Sequence, residues 1–220
     1  MSGGEGGGTA RDDARPAHAY DVTASRPRFD GRIISVRTDT VAMPGGGTSD
    51  RDVVAHPGAV GVVALRGEAG AEEVLVLRQY RHPVARHLVE LPAGILDVDG
   101  EAGVDAAARE LAEEAGLAAD TWHVLVDSLS SPGMTDEAIR VFLARDVREV
   151  EQPEPEHEEA EMTTSWRPLS ELVDGVLAGE VENAMAVIGL LAAAEARRRG
   201  FSGLRDPRSA WPARPGAGGG

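Results

Sequence analysis

The stretch "AARELAEEAGL", residues 107–117, sets three carboxylates, Glu110, Glu113 and Glu114, into an otherwise alanine-rich run of helix formers. On a helix, Glu110 and Glu114 stand one turn apart on the same face, with Glu113 beside them. Like charges at these spacings cost about 0.2–0.5 kcal/mol per pair. A solvated helix tolerates that, the more so with an Arg109 to Glu113 i,i+4 ion pair. The chemical alternative is that carboxylate oxygens on successive turns converge on one hard divalent cation, or on two close ones, and the metal supplies the missing charge. Two upstream features suit that alternative. "LPAG" (Leu91–Gly94) is a glycine-bearing loop that brings backbone close to the helix start, and Glu101 stands eight residues before Arg109.

The elements that must hold this helix follow from patterning. A chain of 220 residues suits one fairly large domain, or a domain with a smaller appendage. With 42% apolar and 27% charged residues it belongs to the soluble globular class. Residues 1–16 and 204–220 are rich in Gly, Pro and polar residues, and both are expected to be disordered tails. Between them, residues 17–55 form a small β unit: "RIISVRTDTVAM" alternates, "PGGGTSD" is a turn, and "RDVVAH" is the next strand. So few strands make a poor core, so this unit is expected to pack on the main domain or on a second subunit. Residues 56–203 form the main domain. Its strands are "HPGAVGVVAL", "EEVLVLRQYR", "HLVELPAGIL", "TWHVLVDSLSS" and "AIRVFLARDV"; helices run from about Val104 to Ala115 and through "LSELVDGVLAG" and "NAMAVIGLLAAAEARRR". Gly116 suits the position that ends the first helix. The fold class is α+β, a mixed sheet sandwiched by helices.

Composition also excludes functions. Asp+Glu is 37 against 22 Lys+Arg, and a net charge of −15 disfavours non-specific attraction to nucleic acid or anionic membrane. All 22 cationic residues are arginine, which removes lysine-based Schiff-base and phosphate-binding chemistry. Cys is 0, which removes thiol nucleophiles, zinc–cysteine sites and iron–sulfur clusters. "MSGGEGGGTARDDARP" has no apolar leader core, and no run approaches the roughly 20 apolar residues of a membrane span, so a cytoplasmic protein is expected.

Gly94, Glu101 and "RELAEEAGL" (Arg109–Leu117) resemble the Nudix box: a glycine, five residues, a glutamate, seven residues, then R-E-U-x-E-E-x-G-U with U aliphatic. The match has no gap from Glu101 onward. Six residues rather than five separate Gly94 from Glu101, and the extra one falls in "ILDVDG", where insertion is cheap. The resemblance covers most of residues 56–195 and implies a Nudix-type α/β/α sandwich and metal-dependent hydrolysis of a nucleoside diphosphate linked to another group. By that resemblance Glu110 and Glu114 are metal ligands, Glu113 a further contributor, and the carbonyl of Ala93 joins the metal shell. Arg109 holds a glutamate in orientation. The cofactor is Mg²⁺, with Mn²⁺ as the alternative.

Pro132, fifteen residues past Leu117, stands in "SSPGMTDE". Together with "RQYRHPV" and "VELPAG" it resembles the ADP-ribose pyrophosphatase branch; alone it would be only a turn between strands. Zinc-bearing NADH pyrophosphatases and isopentenyl-diphosphate isomerases need cysteines, and diadenosine polyphosphate hydrolases usually show a tyrosine near Pro132 and Gly133. In the ADP-ribose branch Arg81 contacts substrate phosphate or ribose, a role its planar fork suits; the alternative is a solvated strand-end arginine. Glu137 matches a carboxylate that bonds ribose hydroxyls, and Arg51 is a candidate contact delivered from a neighbouring subunit. "EQPEPEHEEAEMTTSW" (Glu151–Trp166) is expected to be a loop, either plain solvated chain or a lid. As a lid it supplies Glu159 as base or as the residue completing the metal shell, with Glu161 second and Glu156 and Glu158 as alternates. The branch also implies a homodimer with exchanged N-terminal β units. Arg32 and Val89 depart from positions where relatives often carry aromatics, which leaves the adenine contacts open. Other substrates within the family, another nucleotide sugar or a dinucleotide cofactor, remain alternatives, as does a non-catalytic module that senses ADP-ribose.

Overall fold

The computed structural model describes residues 20–152 and 161–215. Strands β1 (Val22–Asp30), β2 (Ser35–Ala42) and β3 (Thr48–Ala55) form an antiparallel sheet in that order. Polar pairs across and along strands replace an apolar core. Ser25 Oγ of β1 donates to Asp39 of β2 at 2.6 Å, Arg37 Nε donates to the same Asp39 along β2 at 3.0 Å, and Thr38 Oγ1 donates to Asp52 of β3 at 2.7 Å. The sheet meets the rest of the chain through backbone: Val54 N–H donates to the Met134 carbonyl (2.8 Å), and Asp136 N–H donates to that of Val54 (3.3 Å). Tyr20, Val22, Phe29, Ile33 and Ile34 stay exposed on this unit.

The larger sheet comprises β4 (Ala59–Arg66), β5 (Glu73–Arg81), β6 (Arg86–Glu90), β7 (Ala93–Ile95), β8 (Leu117–Leu129), β9 (Ala138–Glu149) and β10 (Thr163–Pro168). Its main path is β10-β5-β4-β9-β8, with β6 on β5 and β7 on β4. The β4–β9 pair is parallel and its neighbours are antiparallel, so the sheet is mixed.

Alternation along the central strands explains the layers. On β4, Val60, Val62 and Ala64 join Phe142 and Ala144 of β9 on one face, where they meet Val104, Ala106, Ala107 and Leu111 of α1 (Gly103–Ala115). Val63, Leu65, Val141 and Leu143 face the other way, toward α2 (Leu169–Ala178) and α3 (Ala184–Arg198). A Cβ on Gly61 would sit 2.2 Å from Met185 Sδ, and one on Gly189 would sit 2.7 Å from Leu91 Cδ1, so two glycines let α3 seat directly on the sheet. The result is the α/β/α sandwich that the resemblance implied.

Three expectations change. "HLVELPAGIL" is two strands, β6 and β7, split at Leu91–Pro92, because Pro92 has no N–H and offers only its carbonyl, to Val62 N–H at 2.8 Å. The expected Glu151–Trp166 loop ends in β10, which pairs with β5 from Thr163↔Arg78 to Pro168↔Glu73. The expected disordered tail from residue 204 is packed through Pro215. There Arg140, 3% exposed on β9, needs acceptors: Asp127 takes Nε and Nη2 (2.7 and 2.9 Å), and the carbonyls of Ser209 and Ala210 accept from Nη1 and Nη2 (2.8 and 3.0 Å). Trp211 covers the same guanidinium at 4.7 Å. Pro and Gly make this segment irregular without making it loose.

Candidate active site

The site is built around α1. Its C-terminus follows from Gly116, whose φ of 61° is in the left-handed region and whose N–H returns to Ala112 at 3.0 Å. Buried Leu111 and Ala107 fix the inward face, which leaves Glu110 and Glu114 to reach β7 at Gly94 and Ala93. Arg109 is the hub. Its Nε and Nη2 donate to the two oxygens of Glu101 at 3.2 and 3.1 Å, and its Nη1 donates to Glu110 Oε1 at 2.7 Å and Glu113 Oε2 at 3.1 Å. Glu114 Oε2 accepts the Ala93 N–H at 2.9 Å, so the contact that ties Ala93 to the helix is through its N–H.

Glu110 approaches the backbone so closely that a Cβ on Gly94 would lie 2.0 Å from its Oε1. This is why the position is glycine. The inserted residue of the box lies in the exposed turn Asp97–Gly100, where Gly100 has φ of 76°, and Glu101 still reaches Arg109.

Electrostatics make Glu110 the strained member of the cluster. Burial pushes the Glu110 carboxyl above the usual glutamate range, Arg109 pulls it down, and the charges of Glu113 and Asp97 push it up again. The net shift is upward although a guanidinium touches it. Hydrogen bonding to Glu101, with the nearby charge of Glu110, holds Arg109 firmly protonated. One guanidinium thus faces Glu101, Glu110 and Glu113, with Glu114 one turn on: an oxygen-rich donor set that suits a hard divalent ion. Among the described residues no three His, Asp or Glu side chains are gathered in metal-binding geometry, since Arg109 draws Glu101, Glu110 and Glu113 to itself. Glu161 is exposed just before β10, and Glu159, like Glu156 and Glu158, lies outside the described residues.

The remaining candidates fall into separate groups. Arg51 and Pro132 line one cleft of about 530 Å³ with Tyr20, Asp39, Asp52 and Asp136, where Arg51 donates to Ser49 Oγ and the Asp50 carbonyl at 2.5 and 3.0 Å. Glu137 accepts from Ser130 Oγ and lies 3.6 Å from His56 Nδ1, which itself accepts the Gly58 N–H at 3.1 Å. Arg81 is neither a bare substrate arginine nor a merely solvated one. It grips Glu90 with Nε and Nη2 at 2.9 and 2.6 Å, and the Glu90 side chain is only 4% exposed. Glu90 is a residue the sequence reasoning missed, although a carboxylate inside the apolar run "HLVEL" was its signal. Val89 packs against the core, and Arg32 is exposed.

Sandwich and helix together are those of a pyrophosphohydrolase of the Nudix class. The NUDIX domain matches residues 55–187, and the chain belongs to that family. It is 46% identical over 198 residues to the ADP-ribose pyrophosphatase of Mycobacterium tuberculosis, covering 90% of this chain and 94% of that protein. It is 38% identical over 124 residues to the ADP-ribose pyrophosphatase of Bacillus subtilis (56% of this chain, 65% of that one). A crystal structure of an ADP compounds hydrolase superposes with a TM-score of 0.70 at 18% identity, covering 85% of this chain and 99% of that one, which speaks to the fold. No helix among the described residues is long and apolar enough to cross a membrane.

Proposed function

We propose that this Nudix enzyme hydrolyses the pyrophosphate bond of ADP-ribose to AMP and ribose 5-phosphate, as a cytoplasmic homodimer that uses Mg²⁺, or Mn²⁺ in its place. The observation that carries the chemistry is the α1 cluster, where Glu110 is pressed under Gly94 and one arginine faces three carboxylates. The substrate comes from the likeness to the Mycobacterium tuberculosis enzyme along nearly the whole of both chains. The exposed apolar residues of the N-terminal sheet support a dimer.

Glu110, Glu113 and Glu114, with the Ala93 backbone, would hold the metal. A bound divalent ion would neutralise the diphosphate and lower the pKa of the attacking water. Arg109 keeps Glu110 and Glu113 aligned through its anchor on Glu101. Arg81, oriented by Glu90, contacts substrate phosphate or ribose. Glu137 accepts from ribose hydroxyls, and Pro132 with Arg51 shapes the cleft for the nucleoside. Glu159 takes the proton of the attacking water once its segment covers the substrate, and Glu161 assists; covering the site keeps bulk water out during the reaction.

The test is two substitutions. Glu114→Gln is expected to nearly abolish turnover of ADP-ribose with an unchanged circular dichroism spectrum, and full activity would remove the metal assignment. Glu159→Gln is expected to lower kcat far more than substrate affinity. If Glu161→Gln or Glu158→Gln does so instead, the base is assigned to the wrong glutamate.

A further inference from the structure

The metal helix starts badly on its own account. Its N-cap is Ala102, which makes no side-chain capping bond, and the turn before it, Asp97–Gly100, is exposed. Alanine is among the poorest N-caps, because it has no side-chain oxygen to accept from the first-turn N–H groups. Yet Glu101, at this uncapped entry, anchors the arginine that aligns Glu110 and Glu113.

We infer that the C-terminal segment Arg205–Pro215 supplies the missing support, and that Arg214 is a positioning residue for the metal-binding carboxylates. Arg214 Nη1 donates to the Glu101 carbonyl at 2.9 Å. From there the connection runs through the Glu101 carboxylate to Arg109 and on to Glu110 and Glu113. Arg208 pairs with Asp105 in the first turn of α1, with nitrogen–oxygen distances of 2.7 and 3.2 Å. Trp211 lies against Gly103, the first residue of the helix, where an added Cβ would be 3.5 Å from the indole. Pro215 closes over Gly58, whose carbonyl holds Leu96 N–H at 3.0 Å at the start of the same loop. The far end of the segment is fixed to the sheet by Arg140 and by Arg205 on Asp127 at 2.7 Å. The segment therefore spans from β8 and β9 to the uncapped end of α1, and Arg214 is its contact on the box glutamate.

This inference rests on the metal assignment above, so the experiment separates the two. Mn²⁺ binding to the metal-free, full-length protein is measured by the paramagnetic signal of free Mn²⁺, for wild type, Arg214→Ala, Arg214→Lys, Arg208→Ala and Glu110→Gln, with Tm for each. Arg208 is the control, since it anchors the same segment but does not reach Glu101. Arg214→Ala is expected to weaken Mn²⁺ binding about 10-fold or more, the range for residues that orient metal ligands. Its Tm should fall no further than that of Arg208→Ala, lysine should recover part of the affinity, and kcat for ADP-ribose should drop more than KM rises. Wild-type Mn²⁺ affinity in Arg214→Ala, or a loss matched by Arg208→Ala at equal Tm, overturns the positioning role. If Glu110→Gln binds Mn²⁺ like wild type, the metal assignment itself fails and takes this inference with it.

Discussion

Gly94→Ala isolates the contact on which the site's geometry turns. The new Cβ would lie 2.0 Å from Glu110 Oε1, 2.1 Å from its Cδ and 2.5 Å from its Cγ. Ordinary carbon contacts begin near 3.5 Å, so the carboxyl group has to retreat by roughly 1.5 Å. For the fold that move is cheap. The backbone at Gly94 is outside the left-handed region, so alanine is accommodated, and the displaced atoms belong to the far end of a flexible side chain. A stability loss of at most about 1–3 kcal/mol is expected, the range for overpacking. For chemistry the same move is expensive, because misplacing a catalytic group by about 1 Å can cost around 100-fold in rate. Initial rates of AMP release from ADP-ribose at saturating Mg²⁺, alongside thermal melts, should therefore show kcat down about 100-fold in a protein that is still folded. In a Glu110→Gln background the alanine should add little further loss, since the two changes strike the same group. Gly94→Ala activity within about twofold of wild type would refute the close approach as a requirement of the site.

Other perturbations probe the supports. Arg81→Gln leaves the buried Glu90 without its bidentate partner and should cost about 1–3 kcal/mol by urea melts, with much of it recovered in Arg81→Gln/Glu90→Gln; an unchanged Cm in the single variant contradicts the pair. Leu111→Ala removes a fully buried side chain between α1 and the sheet and should cost about 2–5 kcal/mol, whereas a loss well under that range would mean the helix face is loosely packed. Asp127 sets an acid limit. Burial raises its pKa, but hydrogen bonds from Arg140 and Arg205 outweigh that and hold it below the usual aspartate range. Its contribution is complete above the unfolded-state pKa and is lost as pH falls through the depressed folded value, so Asp127→Asn should flatten the acid limb of Tm against pH. An unaltered acid limb would show that this carboxylate is not what the folded state loses.

Helix α1 was readable because its signals are local: glutamates at helical spacing, an arginine among them, and Gly116 at its end. The two-sided core was legible for the same reason, since the apolar strands and the helical spacings of α2 and α3 each announce a face. What escaped depends on distant partners. β1 has nine exposed residues and no apolar alternation, so only its pairing with β2 makes it a strand. β10 follows directly on an acidic, proline-bearing run and is defined by the edge of β5. The segment Arg205–Pro215 looks like a tail in composition, yet each of its arginines, Arg205, Arg208 and Arg214, finds a partner between 78 and 113 residues away in sequence. Pairing across such separations leaves no periodicity to read. The same holds for Arg81 and Glu90, which meet only because β5 and β6 fold into a hairpin.

The most direct test of the central claim is release of AMP by the purified protein from ADP-ribose, with and without millimolar Mg²⁺, beside a panel of other ADP-sugars and NADH. Metal-dependent turnover led by ADP-ribose is the expected result. Turnover led by another substrate would contradict the assignment built on Pro132 and the relatives, and tight ADP-ribose binding without turnover under any divalent metal would contradict catalysis altogether.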